Sequence, residues 1–94
     1  SRDARNVDAL TNLAIALKTA GRPEEARETL QRVLTINGRH PQAHYNLALI
    51  YEERAEWQRA IEHFEQFLAS AGADSAALSS DVRARIQTLR AKLQ

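Results

Sequence analysis

The chain repeats itself once, at a spacing of 34 residues. When residues 7–40 are aligned with residues 41–74, eight positions carry the same residue. The identical pairs are Ala9 with Ala43, Asn12-Leu13-Ala14 with Asn46-Leu47-Ala48, Ala26 with Ala60, Glu28 with Glu62, Leu34 with Leu68 and Gly38 with Gly72. A repeat of this length predicts two similar structural units that stack and bury a shared core.

Each unit predicts two helices joined by a tight turn. In the first unit, Leu10, Leu13, Ala14 and Leu17 recur at the spacing of one helical face. Gly21 predicts the end of that helix, because glycine adopts the positive φ of a helix C-terminus without strain, and Pro23 suits the first turn of the next helix. The inward face of this second helix comprises Ala26, Leu30, Val33 and Leu34, and Asn37-Gly38 ends it.

The second unit repeats this plan from Pro41, which pushes the preceding His40 out of the α region. Its apolar faces comprise Leu47, Ala48, Ile50 and Tyr51 in the first helix, and Ala60, Ile61, Phe64 and Phe67 in a second helix that runs from about Trp57 to Leu68 and ends at Gly72. Ala55 takes the place of Gly21. A left-handed alanine costs about 1 kcal/mol, so we expect this turn to be strained or to differ in geometry.

The remaining residues, 75–94, predict a linker or a short helical turn over 75–80 and then one further helix. Ser80 is a candidate N-cap, and Val82, Ile86, Leu89 and Leu93 form a narrow apolar seam. Arg83 and Arg90 flank this seam on one side, and Arg85 and Lys92 flank it on the other. We expect these cationic side chains to cover the edges of the seam while their charged groups stay in water.

The predicted organisation is therefore an N-terminal extension without a helix (1–6), a first repeat (7–40), a second repeat (41–74), and a linker with a C-terminal capping helix (75–94). The chain contains no Met, even at position 1, from which we expect a segment of a longer protein. Its use of Arg and Ala indicates a bacterial, GC-rich genome.

Composition argues against several classes of function. The chain has no Cys, which excludes disulfides and thiolate chemistry. No run of about 18 apolar residues lacks charge, so we expect no membrane span. The formal net charge is only +1, whereas nucleic-acid binders usually carry a strong basic excess, so we expect no nucleic-acid partner.

The sequence predicts no catalytic residue, metal site or cofactor. His40 and His44 are four residues apart, but Pro41 lies between them and argues against a shared helical face. We place His44 in the packing or on the surface and His63 on the outer, solvated side of its helix. The isolated Gly21, Gly38 and Gly72 form no phosphate-binding loop. We therefore expect no enzyme activity.

A unit of 34 residues with this pattern resembles the tetratricopeptide repeat. The residues that carry the resemblance are Leu13-Ala14 with Leu17, Gly21, Ala26 and Leu30 in the first unit, and Leu47-Ala48 with Tyr51, Ala60 and Phe64 in the second. The resemblance implies an all-α, right-handed solenoid of antiparallel helix pairs with about five helices. The family usually has a small residue where Phe67 stands, so we expect Phe67 to mark the end of the array and to pack under the last helix.

The resemblance also implies a binding groove lined by the first helix of each pair. The matching positions are Asp8, Thr11, Asn12, Ile15, Lys18 and Thr19 in the first unit, and Gln42, Tyr45, Asn46, Leu49, Glu52 and Glu53 in the second. The two asparagines suit hydrogen bonds to a peptide backbone. Tyr45 is the best candidate anchor, because aromatic residues are enriched among interface hot spots, although it is also a candidate packing residue.

Some family members bind the acidic tails of chaperones through Lys and Asn side chains in the groove. Only Asn46 matches these positions, since Thr11 and Ile15 occupy two others. We expect instead a neutral or basic, partly apolar protein segment. The sequence thus predicts a protein-interaction module, a scaffold segment of a larger protein that binds a peptide or helix. The alternatives are self-association, with a possible homo-oligomer, and a structural appendage that regulates an enzyme domain outside this segment.

Overall fold

The computed structural model describes residues 2–70 and 76–94, with side chains from Arg5 onward. In these ranges the chain forms five helices and no strand. They are α1 (Arg2–Thr19), α2 (Pro23–Ile36), α3 (Pro41–Glu53), α4 (Trp57–Ser70) and α5 (Ala76–Lys92). The predicted all-α solenoid of helix pairs is confirmed. The predicted helix end at Gly72 lies outside the described residues.

The helices pack mainly on their neighbours along the chain. Within the described ranges α1 packs on α2, α2 on α3, α3 on α4 and α4 on α5, while α1 also contacts α3. The core lies between these pairs, and its fully buried side chains include Ala26, Leu30, Leu47, Ala60 and Phe64. Equivalent positions are therefore buried in both repeats at Ala26 and Ala60 and at Leu30 and Phe64, as the apolar spacing predicted.

The turns inside the two repeats have the same backbone conformation. Gly21 has φ 80° and Ala55 has φ 60°. In the first turn the Arg22 N–H donates to Leu17 O at 2.9 Å and the Gly21 N–H donates to Lys18 O at 3.1 Å. The Glu56 N–H and Ala55 N–H make the corresponding bonds to Tyr51 O and Glu52 O. This is the Schellman arrangement of a helix C-terminus, and the second repeat retains it without a glycine.

Replacing Ala55 with glycine is expected to raise the free energy of unfolding by about 1 kcal/mol, because the left-handed conformation strains any residue with a Cβ. Gly21→Ala is the matched control and is expected to lower it by a similar amount. A Cβ at Gly21 would meet nothing within 4 Å, so only the backbone strain would change. Urea denaturation of both variants tests this, and a loss of stability in Ala55→Gly would contradict it.

Both repeats contain a helix that begins at a proline, with Pro23 opening α2 and Pro41 opening α3. His40 has extended backbone angles, as the following proline predicted, and serves as the N-cap of α3. Its Nδ1 accepts a hydrogen bond from the Ala43 N–H at 3.2 Å. The imidazole therefore takes the role that a Ser or Asp side chain usually has at a helix N-terminus.

The structure corrects three predicted helix boundaries. Helix α1 begins at Arg2, so most of 1–6 continues the first helix and is not a separate extension. Helix α5 begins at Ala76, because the Ala76-Ala77-Leu78 run favours helix, and Ser80 is an interior residue rather than an N-cap. Leu93 follows the end of α5 and is exposed, so the buried seam stops at Leu89.

Leu13 is also exposed, contrary to the prediction that it fills the core as Leu47 does. Leu13 is 49% exposed and Leu47 is 0% exposed. The two helices differ in their neighbours, since α3 packs on α1, α2 and α4, whereas within the described residues α1 packs only on α2 and α3. The side of α1 that carries Leu13 also carries Ala9 and Ala16, and all three are exposed.

An ion-pair network links the turns of the two repeats. Glu24 at the start of α2 accepts hydrogen bonds from Arg27 and, at 2.8 Å, from Arg54 Nη1 in the turn after α3. Arg54 Nε also lies 2.9 Å from Glu56. The hydrogen bond from Arg27 lowers the pKa of the Glu24 carboxyl. The network fixes α2 against the turn that follows α3.

Candidate functional site

Helix α1 presents a continuous exposed stripe. Asp8, Asn12, Ile15 and Thr19 are all exposed and follow one another at spacings of three or four residues, which places them on one side of the helix. Ile15 is 41% exposed, which is unusual for a large apolar side chain. Lys18 is half-buried at the edge of the stripe. These residues are available to a partner.

Thr11 does not belong to this stripe. Its side chain is 1% exposed, and its hydroxyl donates to Val7 O at 2.7 Å. Thr11 is equivalent to Tyr45, but its side chain is too short to extend past the packed helices. Thr11 is therefore not part of the surface that α1 presents to a partner.

The equivalent stripe on α3 is more enclosed. Gln42 and Glu53 are exposed at its ends, and the residues between them are half-buried; these are Tyr45, Asn46, Leu49 and Glu52. Asn46 Nδ2 donates to Gln42 O at 2.8 Å, within the same helix. The Asn46 side-chain oxygen has no such bond within the described residues, which leaves it as an acceptor for a partner.

Tyr45 combines packing with partial exposure. Its ring centroid lies 6.0 Å from that of Phe64, edge to face, and 5.5 Å from that of Phe67. Such aromatic pairs stabilise a core. Tyr45 is therefore mainly a packing residue, and only the outer part of its side chain is free for a partner.

Helix α5 adds cationic residues beside the α3 stripe, and the sequence did not predict this contact. Arg85 Nη1 lies 3.0 Å and 3.3 Å from the two carboxylate oxygens of Glu52. Lys92 Nζ lies 5.0 Å from the centroid of the Trp57 ring. On the opposite flank Arg90 pairs with Glu65 of α4 at 2.7 Å. Both predicted flanks of α5 thus contact α4, through Lys92 on one side and Arg90 on the other, and the flank with Arg85 and Lys92 also pairs with Glu52 of the α3 stripe.

Comparison with known families decides the classification of this fold. A family model described as tetratricopeptide repeat matches residues 5–73. The chain belongs to the tetratricopeptide repeat family. Tetratricopeptide repeats are non-catalytic helical scaffolds that mediate protein–protein interactions. The matched range includes α1 to α4 almost completely, and α5 follows it.

A curated relative matches part of the chain. The chain is 33% identical over 60 residues to the cellulose synthase operon protein C of Xanthomonas axonopodis pv. citri. The match includes 64% of this chain but only 4% of the length of that protein. The relative is bacterial, in agreement with the origin that the Arg and Ala content indicated.

The tetratricopeptide repeat core contains a pair of histidines, and this corrects the solvated position predicted for His63. His44 Nδ1 lies 3.0 Å from His63 Nδ1, which joins α3 to α4. His63 is half-buried, and its ring stacks on Tyr51 with centroids 5.5 Å apart. His44 is 5% exposed. Its equivalent in the first repeat is Leu10, an inward position, and this correspondence is the signal that could have placed His44 in the core.

The hydrogen bonds of this pair indicate the tautomer of each neutral ring. His44 Nε2 lies 2.9 Å from the Gly38 carbonyl oxygen, which can only accept, so Nε2 carries the hydrogen. In a neutral His44 ring Nδ1 is then an acceptor, and His63 Nδ1 donates to it.

Acidification is therefore expected to destabilise the fold. Burial lowers the pKa of His63, reinforced by nearby His44 and opposed by Glu62. Burial also lowers the pKa of His40, and Asp8 opposes it. The unfolded chain binds more protons than the folded chain near the ordinary His pKa of 6.5, so stability is complete above that pH and decreases as pH falls through it.

Urea denaturation at about pH 7.5 and about pH 5.5, at constant ionic strength, measures this effect within the range where His titrates. A His40→Asn/His63→Gln variant is the control, because both replacements stay neutral and asparagine can still cap α3. Its stability is expected to change much less between the two pH values. Equal or greater stability of the original chain at the lower pH would contradict the prediction.

Metal binding finds no support in this cluster. Among residues 5–70 and 76–94, no three His, Cys, Asp or Glu side chains lie close enough to hold a metal ion. His40 caps α3, while His44 and His63 bind each other, so each of the three histidines already has a structural role.

Among the described residues, no helix is both long and apolar enough to cross a membrane.

Proposed function

We propose that this chain is the partner-binding segment of a larger scaffold protein, and that a peptide or helix of another protein lies along the exposed sides of α1 and α3. One observation carries the proposal. The two stripes occupy equivalent positions on two first helices that contact each other, and each presents an asparagine one turn away from an apolar residue. These are Asn12 with Ile15 and Asn46 with Leu49.

The chemistry of this groove favours a neutral or basic, partly apolar segment. Ile15 and Leu49 offer apolar contact, and the outer part of Tyr45 adds to it. Asp8 and Glu53 contribute exposed carboxylates, whereas the charge of Glu52 is offset by Arg85. An acidic segment would meet repulsion along the stripe. The proposal assigns no reaction to the chain.

The named relative supports no particular partner for this chain. Its name ties that protein to a cellulose synthase operon. Because the match includes only 4% of the length of that protein, this connection is not carried over to the chain.

Ile15→Glu is the sharpest test, because Ile15 is exposed and its replacement leaves the core unchanged. Peptides are first selected on the chain from a random-peptide phage library. Ile15→Glu is expected to lower the affinity for the selected peptides at least about tenfold, which is the loss typical of a hot-spot residue. Fluorescence anisotropy with a labelled peptide measures the affinity.

Ile36→Glu is the matched control. Ile36 is 46% exposed at the end of α2, a helix that contributes no residue to the proposed groove, and it receives the same charge. Tyr45→Ala is less suitable, because it also removes packing against Phe64 and Phe67. If no peptide is selected, or if Ile15→Glu and Ile36→Glu weaken binding equally, the groove proposal fails.

Self-association is a second candidate, favoured by the exposed side of α1. Ala9, Leu13 and Ala16 are exposed there, whereas their equivalents in α3 are buried. A second copy of the chain could cover this surface. Sedimentation at high concentration tests the idea, since a strict monomer would exclude it and a dimer lost in Leu13→Glu would support it.

A further inference from the structure

A cleft of about 420 Å³ opens between the C-terminal part of α3, the start of α4 and the exposed side of α5. Its lining residues are Leu49, Glu52, Glu53, Trp57, Arg85 and Lys92. Two of them, Leu49 and Trp57, supply apolar surface, and the other four carry charge. The cleft continues the α3 stripe toward the C-terminus of the chain.

The cleft has two acidic and two basic side chains, and only one acid and one base among them form a salt bridge with each other. Glu52 is paired with Arg85 through both carboxylate oxygens, at 3.0 and 3.3 Å. Glu53 is exposed and takes part in no ion pair within the described residues. A free carboxylate therefore lies in the same cleft as the Trp57 ring.

A cation already occupies the face of that ring. Lys92 Nζ lies 5.0 Å from the centroid of Trp57, within the distance at which an aromatic face attracts a positive charge. Lys92 is exposed in the last turn of α5 and forms no ion pair within residues 5–70 and 76–94. Its flexible side chain can leave the ring without breaking a salt bridge there.

We propose that this cleft is a subsite for an arginine side chain of the bound partner. The guanidinium stacks on Trp57 and pairs with Glu53, while Lys92 occupies the ring in the free chain and is displaced. Arginine fits better than lysine because its planar group can stack on an aromatic ring and pair with a carboxylate through two hydrogen bonds. This inference rests on the proposed groove, because it names the side chain that the end of the groove selects.

The test uses N-acetyl-L-arginine amide and, as its neutral counterpart of the same shape, N-acetyl-L-citrulline amide. Trp57 is the only Trp in the chain, so its indole N–H signal in NMR spectra reports on the cleft without ambiguity. The arginine compound is expected to shift this signal in a saturable manner. Citrulline amide is expected to bind several-fold more weakly. Equal binding of the two compounds would overturn the subsite.

Two exposed substitutions then separate attraction from competition. Lys92→Gln removes the resident cation and is expected to tighten binding of the arginine compound about 2- to 5-fold, the range of an exposed cation–π contact. Glu53→Gln is expected to weaken it by a similar factor, whereas Glu28→Gln, an exposed change on α2 outside the cleft, leaves it unaltered. Unchanged affinity in both cleft variants would also overturn the subsite.

Failure of the subsite and failure of the groove give different results. If Ile15→Glu abolishes binding of the selected peptides but citrulline and arginine amides bind equally, the groove stands and the subsite falls. If the arginine compound binds with the expected dependence on Glu53 and Lys92, but Ile15→Glu has no effect on peptides, the cleft is a cation site independent of the groove. The inference as stated is then wrong.

Discussion

Replacing Phe67 with alanine is expected to lower the free energy of unfolding by about 3–5 kcal/mol, the usual cost of removing a buried aromatic ring. Phe67 is 3% exposed on the helix that α5 covers, and its ring lies 5.5 Å from that of Tyr45. The substitution would leave a cavity between α4 and its neighbours. A loss of this size is a large fraction of the stability of a small domain.

Urea denaturation followed by circular dichroism measures this loss, and Phe67→Leu is the control, because it retains most of the apolar volume and should cost much less. A loss below about 1 kcal/mol in Phe67→Ala would place the ring at the surface. So small a loss would also contradict the prediction that Phe67 packs under the last helix and marks the end of the repeat array.

Leu47→Ala and Leu13→Ala are expected to have very different effects, although the two leucines occupy the same position of the repeat. Leu47 is 0% exposed, and its truncation should cost about 2–5 kcal/mol. Leu13 is 49% exposed, and its truncation should change stability by no more than about 0.5 kcal/mol. The two variants thus truncate the same residue type at the same repeat position. Leu47 lies in a helix that follows another helix pair, whereas Leu13 lies in the first helix of the described residues.

Denaturation of both variants at low protein concentration gives the comparison. Similar costs at the two positions would show that the surface around Leu13 is covered in solution. Repeating the Leu13→Ala measurement over a range of concentrations would then identify a second copy as the cover, because its effect depends on concentration and a contact within one chain does not.

The fold was predictable where burial depends on the repeat itself. Ala26 and Ala60 are buried because their small side chains let two helices of one pair approach, and the 34-residue register places both. The positive φ at Gly21 follows from its place at a helix end. Leu13 was mispredicted because its burial depends on a helix pair that precedes Leu47 and not Leu13. Ser80 was mispredicted because helix-forming residues from Ala76 outweigh its capping preference.

The candidate site was predictable to the level of helix faces. The alignment of the two repeats correctly predicted that Asn12, Ile15 and Glu53 are exposed. It wrongly assigned Thr11 to the groove, because the alignment does not consider side-chain length. It also could not predict contacts between residues that are distant in the sequence. The pairing of His44 with His63 and that of Glu52 with Arg85 join residues 19 and 33 positions apart, and no local pattern specifies such pairs.

The packing of each helix mainly on its sequence neighbours has a consequence for how the molecule opens. Since few contacts connect the two ends of the chain, loss of structure in α1 removes support from α2 and α3 but not directly from α4 or α5. Opening should then begin at either end, because one side of α1 faces water and, within the described residues, α5 packs mainly on α4 alone. Amide hydrogens of α1 and α5 would exchange with solvent before those of α3 and α4, which pack on helices at both sides.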